Sequence, residues 1–226
     1  MSSAALFRRL LLRTAVALPL GTLVVCYAIK QPQWPTIHPS AVFDYDTPRV
    51  LATFGFSLSA PFMAAFGAVR YVRDLAAADG EQSALRGGVF FCVVVGLLGV
   101  AAVPWHVSHP VHTAFAVTFF LAAALDIVLQ HVAATRRRRR SAAGGSDSCE
   151  VPKAAARLLA LMLCMASVGG QVTQNHPLMG VGECGFAVMY LIVLCIEERE
   201  LERVGVQLSY TSSSGRPTDA ALLHDS

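Results

Sequence analysis

The chain has 226 residues, of which 54% are hydrophobic and only 15% charged, against about 25% charged residues in an ordinary soluble domain. Too few charges remain to cover a water-facing surface, so a soluble enzyme or a nucleic-acid-binding domain is not expected. The formal net charge of +3 conceals a local concentration, because five of the eighteen basic residues form one run: Arg136, Arg137, Arg138, Arg139 and Arg140.

A helix needs roughly 20 apolar residues to cross a bilayer core about 30 Å thick. Six stretches meet that requirement, at about 10–29, 50–72, 87–104, 110–133, 155–173 and 177–196. The first follows Arg8, Arg9 and Arg13 and could be a signal peptide, but its apolar core runs on through Tyr27 and Ile29 without a small-residue cleavage site, so it reads as a span. Pro19, Pro61 and Gly96 lie inside these stretches; such residues are tolerated in spanning helices. In the second stretch Ala60, Ala64 and Ala68 recur at four-residue spacing, which predicts close helix packing. The expected fold class is therefore all-α, a polytopic membrane bundle of six helices over residues 1–200, followed by a polar, Ser-rich and disordered cytosolic tail over 201–226.

Orientation follows from the basic residues, which concentrate on the cytosolic side of membrane proteins. With a cytosolic N-terminus, sixteen of the eighteen fall on the cytosolic side, among them Arg70, Arg73, Arg86, the run 136–140 and Arg157, while Lys30 and Arg49 face the lumen. Both termini are then cytosolic. The lumenal side holds a long loop over about 30–49 and two short turns, with Trp34 and Trp105 at the interface that suits amphipathic rings. The arginine run sits in a loop, Thr135 to Lys153, that reads as flexible. Arg136, Arg137, Arg138, Arg139 and Arg140 are expected to set orientation and to touch anionic lipid at about 1 kcal/mol per arginine.

Five of the six cysteines lie within spans and Cys149 lies in a cytosolic loop, so no disulfide framework or zinc-binding pair is implied. Asn175, the single asparagine, precedes His176 and Pro177 and is not a glycosylation acceptor.

Polar residues inside spans are costly in hydrocarbon and mark either interhelical bonds or function. In the sixth span His176, Glu183 and Tyr190 recur at seven-residue spacing, which puts them within about 40° of one another on a helix. Glu183 is six residues inside Pro177, about 9 Å deep. In the fourth span His112 and Asp126 share a face, with Gln130 one turn on, and His106 and His109 precede it. His109, His112, His176 and Glu183, with Tyr190 below, are the candidate pocket, in which a protonated histidine would pair with the Glu183 carboxylate. Three readings stay open: hydrogen bonds that hold the bundle, a pocket for a lipid headgroup or small ligand, and a catalytic metal site, the last lacking the three well-spaced ligands zinc requires. No nucleophile elbow, phosphate-binding loop or zinc-protease motif occurs, and no cofactor is implied.

Several of these residues carry a resemblance. Pro35 to Ser40 (Pro-Thr-Ile-His-Pro-Ser), then Thr47 to Arg49, then Ser59 to Pro61 resemble the first lumenal loop and second helix of the post-GPI-attachment lipid-remodelling factors. The fourth span, with His109 and His112 ahead of Ala114, Phe115 and Ala116, is similar to that family's His-led helix, and the sixth, with Gly182 and Glu183, to the helix carrying its intramembrane Glu. Cys184 stands where an aromatic residue often follows. The wider family is the Frag/DRAM/Sfk group, which also holds the damage-regulated autophagy modulators. The resemblance implies a Golgi or endoplasmic-reticulum protein, more than a lysosomal or plasma-membrane one, that binds membrane lipid and serves as an accessory factor in GPI-anchor lipid remodelling. Alternatives are a regulator of autophagy or lipid distribution acting through unidentified protein partners, and a membrane acyltransferase or lipid hydrolase using His112, His176 and Glu183.

The topology has a direct test in sealed vesicles. Tags after Ser3 and Ala220 should both be protected from lumenal labelling, while a cysteine at position 40 should react from the lumen; termini on opposite sides would mean a miscounted span.

Overall fold

In a computed structural model, residues 3–29, 42, 46–76, 80–104, 106–140 and 150–203 are described. They form six helices: α1 (Ser3–Ile29), α2 (Asp46–Ala76), α3 (Gly80–Ala102), α4 (His109–Arg140), α5 (Glu150–Val172) and α6 (His176–Arg203). All six are long and apolar enough to span a membrane, so the protein is an all-helical, multi-pass membrane bundle.

Every helix corresponds to an expected span, but most run further. The arginine run corrects the expected flexible loop: the backbone of Arg136, Arg137, Arg138, Arg139 and Arg140 forms the last turn of α4, and α6 likewise reaches Arg203. Only the stretch 141–149 of that loop lies outside the described residues, and α5 already begins at Glu150. Counting apolar residues finds where a helix leaves hydrocarbon, not where it ends. The apolar part of α4 stops at Arg136, whose side chain is exposed, while the helix continues. Arginine is a good helix former, and cations at a helix C-terminus are favoured by the macrodipole. The expected lumenal loop up to residue 41, both tryptophans, Cys149 and the tail beyond residue 203 also lie outside the described residues.

Sequence neighbours pack as hairpins: α1 on α2, α2 on α3, α3 on α4 and α5 on α6, whereas α4 and α5 touch little. Glycine makes the tightest of these contacts. A Cβ at Gly96 of α3 would stand 2.6 Å from the backbone nitrogen of Phe119 in α4, and one at Gly182 of α6 would collide with the backbone of Ser167 in α5. Lipid tails are as apolar as the side chains, so close van der Waals approach of this kind drives association where the hydrophobic effect cannot. The alanine row of α2 has no such role, since Ala64 and Ala68 face outward.

The α5–α6 turn is fixed locally. Gln174 adopts a left-handed φ of 55°, Asn175 N–H donates to the Gly170 carbonyl at 2.8 Å, and the Asn175 side chain accepts from Leu178 N–H at 3.1 Å to cap α6. The first turn past each helix end is thereby satisfied. This places the first half of α6 firmly against the last half of α5.

The halves of the helices carrying His109, His112 and Glu183 gather at one end, here called the histidine end. Arg70, Arg73, Arg86 and Glu197 gather at the other, the arginine end. Between them lies an aromatic plate, in which Phe120 and Phe186 stack at 5.3 Å, Phe186 and Tyr190 stack at 6.3 Å, and Phe119 meets Tyr190 edge-on at 6.4 Å.

Gly182→Ala forces the α5 and α6 backbones apart and should cost about 1–3 kcal/mol, the range for overpacking. Gly169→Ala, where an added Cβ meets nothing within 4 Å, should be neutral. Thermal unfolding in detergent compares the two; equal melting temperatures would refute the glycine contact.

Candidate functional site

At the histidine end the helices enclose a cavity of about 400 Å³ that draws its walls from all six. Most of its lining is aliphatic or aromatic. The polar groups cluster toward the mouth: His109, His112 and Thr113 from α4, Ser167 and Gln171 from α5, and Glu183 from α6. Tyr190, Leu191 and Phe120 close the far end.

Four of the five expected pocket residues therefore line one cavity: His109, His112, Glu183 and Tyr190. His176 does not. It sits exposed at the first position of α6, before the helix has turned its face into the bundle. The expected histidine–glutamate pair is also not formed. The His112 ring is buried and its Nδ1 lies 2.7 Å from the Val103 carbonyl, an oxygen that can only accept, so Nδ1 carries the proton. Among the described residues no hydrogen bond or ion pair reaches the Glu183 carboxylate. Those residues also contain no group of three metal-ligating side chains.

At the arginine end lies a constellation that span counting does not reveal. Arg70 of α2 donates to both oxygens of Asp126 in α4, at 2.8 and 3.3 Å. Its Nε also lies 3.2 Å from Glu197 of α6. Arg73 donates to Asp74 at 3.0 Å and to Glu197 at 2.9 Å. Arg86 of α3 bonds Asp74 and reaches Glu197 at 3.0 Å. All six side chains are buried. Three cations and three carboxylates balance, and the Arg70 guanidinium also stacks over Phe90, 5.0 Å from the ring centroid. A buried charge left without a partner costs several kcal/mol, so this arrangement stands because its charges balance, although Arg70 Nε, Arg86 Nε and one Glu197 oxygen make no hydrogen bond among the described residues.

Asp126 is the point where the two ends meet. It is fully buried and, besides Arg70, accepts from Gln130 at 2.9 Å and from the Tyr190 hydroxyl at 3.0 Å. Tyr190 thus forms the floor of the cavity with its ring and ties that floor to the ion cluster with its hydroxyl.

The sequence placed Arg70, Arg73, Arg86 and Arg157 among the cytosolic orienting charges. All four are buried at the arginine end, the first three paired inside the bundle. The available signal was Asp126: a carboxylate in the middle of a span demands a cation, and arginines at the ends of neighbouring spans are within reach. The backbone of Arg136, Arg137, Arg138, Arg139 and Arg140 lies beyond Asp126 and Gln130 on α4. It extends α4 beyond its apolar part at the same end of the molecule.

Residues 7–204 match the family model described as the Frag1/DRAM/Sfk1/Cwh43P N-terminal domain. The chain belongs to this family. No curated protein and no solved structure matches it closely enough to count as similar. Family membership and six spanning helices together make it a Frag1/DRAM-family multi-pass membrane protein.

Asp126→Ala leaves the buried cluster with three cations to two carboxylates and should destabilise by about 3–5 kcal/mol. Tyr190→Phe removes one neutral donor and should cost about 1 kcal/mol. Unfolding curves in detergent separate the two, and a Tyr190→Phe loss as large as that of Asp126→Ala would mean that the hydroxyl, not the ion pair, anchors α4.

Proposed function

We propose that this chain is an endomembrane lipid-binding protein of the Golgi or endoplasmic reticulum, an accessory factor in remodelling the lipid part of GPI anchors that holds lipid inside its bundle. The observation carrying this reading is the cavity: about 400 Å³, walled by apolar side chains, with a few polar groups at its mouth and a partnerless carboxylate among the described residues. That size and mixed lining are those of a ligand site. An ionisable residue kept within a membrane span is itself a pointer to function.

The basic residues support an orientation with both termini in the cytosol and the cavity mouth toward the lumen, where GPI anchors lie. The helical run Arg136, Arg137, Arg138, Arg139 and Arg140 then leaves the membrane among anionic lipid headgroups on the cytosolic side. The resemblance of the first loop and of the second, fourth and sixth helices to the lipid-remodelling factors supports the GPI assignment over an autophagy role. The acyltransferase or hydrolase reading needs His112, His176 and Glu183 together, and His176 stands outside the cavity.

Glu183→Gln preserves volume and should cost no more than about 1 kcal/mol of stability. In cells it should accumulate normally yet leave GPI-anchored proteins with the lipid composition seen on deletion of the protein. Normal GPI lipid in cells with a normally expressed mutant would sink the reading.

A further inference from the structure

The cavity is amphipathic along its length and has one thin side wall. Glu183, His109 and Gln171 lie toward its mouth, while its deep end is aromatic and aliphatic. Between α4 and α5 its wall consists of Val117, Leu121, Val168 and Val172, which are 50%, 66%, 52% and 77% exposed. Side chains that line a cavity and also face outward mark a place where the wall is one residue thick. Val117 and Leu121 lie eight and twelve residues into α4, roughly 12 and 18 Å along its axis, so the medium they face is hydrocarbon. The α4–α5 seam is also thinly packed, because α4 leans on α3 and α5 on α6.

We propose that the α4–α5 seam is a lateral portal through which a single-chain amphiphile enters from the bilayer. Its one acyl chain lies toward Tyr190, and its polar end, a hydroxyl or primary amine, donates to the Glu183 carboxyl. This inference rests on the reading of the cavity as a lipid site and names the ligand class. A water-soluble ligand would find almost nothing to bond along the walls and would have no reason to cross a hydrocarbon-facing seam. A volume near the lower end of the ligand-site range, about 300–1,000 Å³, suits one chain rather than two. Glu183 selects the polar end: a carboxyl group accepts from a hydroxyl or amine, whereas an anionic end such as a free fatty acid meets a like charge or has to bring a proton.

The test uses the full-length protein in nanodiscs with three diazirine-bearing probes: lysophosphatidylethanolamine, diacyl phosphatidylethanolamine and a free fatty acid. Crosslinked peptides are mapped by mass spectrometry. The lyso lipid should label peptides containing Phe120 or Leu191 at least fivefold more than either other probe, and Glu183→Leu should remove that preference. Val117→Trp combined with Val168→Trp, both at exposed positions, should slow the labelling at least fivefold at unchanged melting temperature, while Val132→Trp, which does not line the cavity, should not. Diacyl or fatty-acid labelling equal to that of the lyso lipid, or an unchanged rate in the tryptophan variant, overturns the portal and leaves the cavity a lipid site. Failure of every probe to label the cavity overturns the lipid-site reading itself.

Discussion

Three arginines and three carboxylates meet where no water is available to replace a missing partner, and that requirement fixes how four of the six helices sit. Arg70 and Arg73 come from α2, Arg86 from α3, Asp126 from α4 and Glu197 from α6, with Asp74 beside Arg73. Apolar faces slide past one another at little cost, but sliding any of these helices by one turn, about 5.4 Å, would take at least one charge out of the cluster and leave the rest unbalanced. A charge-balanced buried cluster favours a single arrangement for this reason, since an unpaired buried charge is among the most costly defects a fold can carry. Because Tyr190 donates to Asp126, the same constraint sets the floor of the cavity at the opposite end.

α5 stands outside this constraint. None of its described side chains joins the cluster, and it is held by the close approach of Gly170 to the start of α6, by that of Gly182 of α6 to the α5 backbone, and by the capped turn at Gln174 and Asn175. α1 is packed along α2, where Gly55 meets Thr22. The seam between α4 and α5 therefore joins a helix fixed by ion pairs to one fixed only through α6. Among the described residues it can widen without breaking an ion pair of the cluster or a glycine contact, so that side of the bundle is less constrained than the rest.

The spans and the all-helical class were legible because crossing hydrocarbon imposes a length and composition that few other structures share. The polar stripe of the sixth span was legible for a similar reason: seven-residue spacing is a local property, and Glu183 and Tyr190 do face one cavity. His176 shared the spacing but not the environment, since the stripe leaves the bundle at the turn. The ion cluster was not legible in detail. Its partners are 56, 111 and 124 residues apart in sequence, and arginine at a span boundary looks the same whether it points to a headgroup or back into the bundle. Helix ends were misjudged for a simpler reason. Hydropathy falls at the edge of the membrane while backbone hydrogen bonding continues past it, so Arg137, Arg138 and Arg139 read as loop and are helix.

The two ends treat the same chemical group in opposite ways. Among the described residues the spans contain four carboxylates: Asp74, Asp126, Glu183 and Glu197. Three are matched to arginines with two or more contacts each, as the cost of a buried charge requires. Glu183 has no such partner, although histidines line the same cavity and one more arginine would have neutralised it. A leucine at this position would serve folding better, because an acid without a partner in an apolar wall detracts from stability in either protonation state. A structural role explains the three paired acids and fails for the fourth. What Glu183 has in its position is a place in the cavity wall, and on the proposed lipid-site reading a group that completes its hydrogen bonding only on binding would give an occupant a polar contact the empty protein lacks.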